Sequence, residues 1–150
     1  MDASRPRRWL WAAILAGIVY FVVGIAFASL ANTSASDQMR SAWRVAAFLT
    51  SAVAFAVHIV YEHFRLNNSP LPTALHTSAG AALGGFALAV AANVKAQLAA
   101  PSHQLSRALA LVVWPLLAAA IAFVVALAAA AILARVRRLG RGMDEDTRRQ

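Results

Sequence analysis

Four stretches of this chain are long and apolar, and only short polar connectors separate them. They run from about residue 9 to 31, 41 to 64, 71 to 98 and 105 to 134. A helix needs about 20 apolar residues to cross a bilayer. Hydrocarbon offers the backbone no hydrogen-bond partner, so a spanning segment must satisfy its own N–H and C=O groups. Helices and closed barrels do this, and barrel strands are alternating segments of about 10 residues. These runs are too long and too uniformly apolar for strands. The sequence therefore predicts an all-α integral membrane protein, a four-transmembrane-helix antiparallel bundle occupying residues 1–139. Residues 140–150 form a charged tail, expected to be solvated and partly disordered. Connectors this short force consecutive helices to lie side by side and leave no room for a separate soluble domain.

Charge supports the same picture. Only 13% of residues are charged, against about 25% in average soluble domains. The net charge of +8 flanks the apolar runs instead of lining one face of a soluble fold. That placement argues against nucleic acid and for orientation control and attraction to anionic lipid. Ten of the 14 Lys and Arg residues fall in the two tails and the second connector. They include Arg5, Arg7, Arg8, Arg65, Arg135 and Arg137. Arg40, Arg44, Lys95 and Arg107 fall on the opposite side. The positive-inside rule then places both termini in the cytoplasm. The dominance of Arg over Lys and the abundance of Ala, both GC-rich codon choices, point to a bacterial source and hence an inner membrane. A cleaved signal peptide is the competing reading of the first segment, but its apolar stretch exceeds the usual 7–15 residues.

There is no cysteine, which excludes disulfides, thiolate metal sites and a Cys nucleophile. No phosphate-binding Gly-rich loop, nucleophile elbow or paired catalytic acids occur. An enzyme is therefore not expected.

The second span carries the informative residues. At 100° per residue, Arg44, Phe48, Ser51, Phe55, His58, Glu62 and Arg65 form one stripe. His58 and Glu62 are four apart and can touch. His76 lies about eight residues beyond the following turn, at nearly the depth of His58. Polar groups at such depths turn away from lipid. His58, Glu62, His76, Arg44 and Arg65 are thus the candidate polar or ion site.

Three readings of that cluster stay open. Glu62 can pair with Arg65 or a neighbouring His and merely satisfy the bundle interior. The cluster can relay protons or ions, or hold a small solute, since His and Glu exchange protons readily. Alternatively His58 and His76, weak candidates as metal ligands, can hold a metal or haem with Glu62 or His63. At the level of the whole protein these become a proton-, ion- or solute-handling protein, an accessory subunit of a larger membrane complex, and a metal- or haem-binding membrane protein.

Gly80 and Gly84 form a small-xxx-small pattern, and Gly17 and Gly24, seven apart, share a face. Such faces let helix backbones approach closely, within one bundle or across a homo-oligomer. Trp114-Pro115 interrupts the fourth segment, where Pro removes a backbone hydrogen bond and is expected to kink the helix. Lys95 is expected to snorkel to the headgroups, and His103 and Arg107 to be ordinary connector residues. Four helices in a short chain, with one intramembrane Glu, resemble the small multidrug resistance exporters in outline. Those proteins carry their key Glu in the first span, however, and this first span has no acid, so no family is assigned.

Overall fold

In the computed structural model of the protein, residues 5–99 and 104–149 are described. His103 lies outside them, as do the side chains of Arg5, Arg7, Arg107 and every basic residue beyond Arg137. All regular structure among the described residues is helical. Helix α1 spans Arg5–Asn32, α2 spans Asp37–Val60, α3 spans Pro70–Ala99 and α4 spans Gln104–Arg149. A π-helical turn, Tyr61–Arg65, continues α2. Four segments are long and apolar enough to cross a membrane: Arg8–Asn32, Asp37–Arg65, Pro70–Leu98 and Leu109–Arg137.

Burial is distributed as a lipid-facing protein requires. Large apolar side chains such as Leu15, Val22, Phe48, Val53, Leu116 and Val124 are exposed. The interior holds small residues, among them Ala13, Ala74, Ala126 and Ala130, with the polar side chains of His58, Glu62, His63, Thr73 and Thr77. A soluble fold inverts this arrangement. In a membrane the drive for helix association is close packing of small residues and polar contact between helices, not removal of apolar surface from water.

Helix α3 is central, packing on both α1 and α4, while α2 packs chiefly on α1. Its small residues make this possible. A Cβ on Gly17 would fall 2.9 Å from Leu83 Cβ and 3.3 Å from the carbonyl oxygen of Gly80. A Cβ on Gly84 would fall 2.7 Å from Tyr20 Cβ and 3.1 Å from the Gly17 carbonyl oxygen. Gly24 faces the flexible end of Leu88. These four glycines therefore all meet neighbours within this chain, and residue numbers rise together along α1 and α3. The buried hydroxyl of Thr77 donates to the carbonyl of Thr73 at 2.8 Å, which satisfies it inside α3 itself.

The ends of α2 are built differently. At its start, Ser36 accepts from the Met39 N–H at 3.2 Å, an N-cap. At its finish the backbone widens, and the Leu66 N–H donates to the Tyr61 carbonyl at 3.2 Å. Asn67 then adopts φ 57°, a left-handed conformation that Asn tolerates better than most residues. Its side-chain oxygen accepts from Arg137 Nη1 at 3.0 Å, tying this turn to α4.

Pro115 lies inside helix α4, with its Cα beside Gly85. The tail beyond residue 140, expected to be partly disordered, is helical as far as Arg149; the helix runs through Gly140 and Gly142, which favour it least, into Arg, Met and Glu, which favour it.

Candidate functional site

The π turn determines what lies inside. In a regular helix, neighbours such as Glu62 and His63 point 100° apart. Here both are buried, Glu62 to 0% and His63 to 4% exposure. Such turns occur often at functional sites. Val60 and Tyr61, on either side of the transition, remain exposed.

Glu62 is the hub. Its Oε2 accepts from Asn68 Nδ2 at 2.6 Å and lies 2.9 Å from His76 Nδ1. Its Oε1 lies 3.9 Å from His58 Nε2, beyond hydrogen-bond range, and has no hydrogen-bond partner among the described residues. The carboxylate thus stands between two imidazoles and is hydrogen-bonded to one of them. Three elements supply the group: α2 and its π turn give His58 and Glu62, the connector gives Asn68, and α3 gives His76.

Packing fixes the two rings. Trp9 stacks on His76 with centroids 4.4 Å apart and planes 9° from parallel. A Cβ on Gly80 would fall 3.1 Å from His58 Cε1, so the absence of a side chain at position 80 makes room for that ring. His58 is 5% exposed, and neither of its nitrogens has a hydrogen-bond partner among the described residues. The same holds for the nitrogens of His63, whose ring meets Phe64 edge-on. Buried polar atoms without partners are uncommon and call for an explanation.

The cluster borders two clefts. His76 lines one of about 490 Å³ with Arg8, Trp9, Arg65 and the connector residues Leu66, Asn67 and Asn68. His58 lines another of about 600 Å³ between α1 and α2, floored by Ala12, Ala16 and Ala54. Exposed Trp11, Leu15 and Val57 flank this second cleft, so it opens sideways.

Of the five residues that the sequence groups together, the structure joins three. His58, Glu62 and His76 meet. Arg65 is exposed in the first cleft, because the π turn breaks the 100° period that put it on the stripe. Arg44 is exposed near the far end of α2, where it lines a small cleft with Phe27, Ala31 and Asn32. Trp114 is 57% exposed and borders a third cleft with Asn93 and Lys95. Asn68 and the Trp9 stack escape the sequence reading, although a buried carboxylate needs donors and the connector offers two side-chain amides, Asn67 and Asn68, of which Asn68 turns to Glu62. Among the described residues, no group of three or more His, Asp or Glu is arranged to hold a metal ion.

Comparison of the chain with protein-family models, with curated proteins and with solved structures finds no match.

Proposed function

We propose that this protein is a four-helix antiparallel bundle of a bacterial inner membrane, with both termini cytoplasmic, that handles protons through His76, Glu62 and His58. One observation carries the reading: a fully buried carboxylate that touches one imidazole and stands 3.9 Å from a second, unpartnered one. Carboxylate and imidazole are the side chains best suited to exchanging protons near neutral pH. Ionisable groups inside a membrane are costly, and they recur along proton and ion pathways. His76 borders the Arg-lined cleft on the proposed cytoplasmic side, and His58 borders the lateral cleft. A proton on His76 passes to Glu62 Oε2 along the existing contact. To hand it on, the carboxyl group must rotate so that the protonated oxygen faces His58, and that oxygen and His58 Nε2, now 3.9 Å from the nearer carboxylate oxygen, must approach by about 1 Å, to ordinary hydrogen-bond length.

The accessory-subunit reading uses the same residues as structural ties, and the exposed apolar faces suit lipid and partner helices alike. The metal or haem reading has less support, since no group of three or more His, Asp or Glu among the described residues is arranged to hold a metal ion and Trp9 covers one face of the His76 ring. Proton flux into liposomes containing the purified protein, driven by a potassium diffusion potential, separates these readings. We expect flux above that of empty liposomes, and its loss in Glu62→Gln with the fold retained. Equal flux in the two proteins would leave the cluster a structural tie.

A further inference from the structure

The cleft in front of His76 has a composition that proton transfer alone does not require. Arg8 comes from the start of α1 and Arg65 from the end of the π turn, and both are exposed into the same space of about 490 Å³. Neither pairs with an acid among the described residues, where the ion pairs are Arg40 with Asp37 and the contacts of Glu62 with His58 and His76. The walls, by contrast, are held. Asn68 is fixed by Glu62, Asn67 by Arg137, and Trp9 by stacking on His76. The nearby carboxylate among the described residues, Glu62, is fully buried behind His76 and Asn68.

We propose that this cleft binds an oxyanion of the phosphate or carboxylate class, held between the Arg8 and Arg65 guanidinium groups over the Trp9–His76 stack. A guanidinium presents paired N–H donors that match such oxygens, and two of them on a rigid rim make a stronger site than scattered surface charge. The cleft lies at the ends of α1, α2 and α3, where headgroups meet water, so the anion can be a lipid phosphate or a free solute. Binding here shares His76 with the proposed proton path but does not depend on proton transfer.

Two probes distinguish the sources. Inorganic phosphate is titrated into the full chain in phospholipid-free detergent, with thermal unfolding as the readout and chloride at matched ionic strength as the reference. In parallel, native mass spectrometry scores retention of phosphatidylglycerol against phosphatidylcholine. We expect saturable binding of at least one probe, weakened about tenfold or more in the double variant Arg8→Gln/Arg65→Gln and unchanged in Arg44→Gln. Phosphate binding identifies a free-solute site; selective retention of phosphatidylglycerol without phosphate binding identifies a headgroup site. Failure of both probes to bind saturably, or equal binding by the double variant, would overturn the proposal. Glu62→Gln should keep anion binding while losing flux, so the two proposals fail separately.

Discussion

The two ends of the helix bundle use polar residues in opposite ways. At the end where α2 passes into α3, Glu62, His58 and His63 are buried and His76 nearly so, and Glu62 joins the π turn to α3 through His76. At the other end, Asp37 pairs with Arg40 three residues along the same helix, and the carboxylate of that pair is 94% exposed. Asn93 bonds the carbonyl of Ala89 one turn back, and Arg44 and Lys95 are exposed. Side-chain type alone does not separate these ends, because both carry acids, bases and amides. What separates them is whether a polar group finds its partner locally or in another element. Local pairs satisfy a helix without constraining the fold. Pairs between elements fix how α1, α2 and α3 meet and leave some polar atoms, such as those of His58, with no partner among the described residues.

That contrast orders the expected effects of mutation. The largest is on function: Glu62→Gln should reduce proton flux to that of empty liposomes, whereas Arg44→Gln at the far end should leave it intact. Next is Asn68→Ala, which removes a 2.6 Å hydrogen bond to a buried carboxylate. It should cost about 1.5–3 kcal/mol, as for bonds to charged groups, measured by unfolding in mixed micelles. Third is Gly84→Ala, whose new methyl would overlap Tyr20 Cβ and crowd the Gly17 carbonyl. Overpacking of this kind costs roughly 1–3 kcal/mol. Gly85→Ala meets Ala118 at 3.4 Å, an ordinary contact, and should be close to neutral. The smallest is Arg40→Ala, where loss of an exposed local pair should change stability by less than about 0.5 kcal/mol. A cost for Arg40→Ala equal to that of Asn68→Ala would erase the distinction between the two ends.

Much of the fold is legible in the sequence because bilayer thickness and backbone hydrogen bonding leave few options for long apolar runs. The four helices follow from that alone. The meeting of His58, Glu62 and His76 is legible too, since helical periodicity puts the first two on one face and the turn sets the depth of the third. The inward turn of His63 and the outward turn of Arg65 are not. Both depend on the π turn, and an i→i+5 hydrogen bond leaves no trace in hydrophobic periodicity. Arg44 shows a second limit: a helical wheel places a Cα, while a long side chain can carry its charge away to water. The Trp9–His76 stack depends on the rotation of α1 about its own axis, which the sequence of α1 leaves open because apolar residues surround it. The helical continuation of α4 to Arg149 shows that charge alone is a poor guide to where a helix ends.

Proton exchange at Glu62 inside the bundle is open to infrared difference spectroscopy across a pH titration. We expect a carboxyl C=O band that appears and disappears reversibly with pH, is absent in Glu62→Gln and shifts when His76→Gln removes the imidazole beside Oε2. A spectrum in which no carboxyl band assignable to Glu62 changes with pH would contradict proton exchange at this residue and leave the cluster as a purely structural tie between α2 and α3.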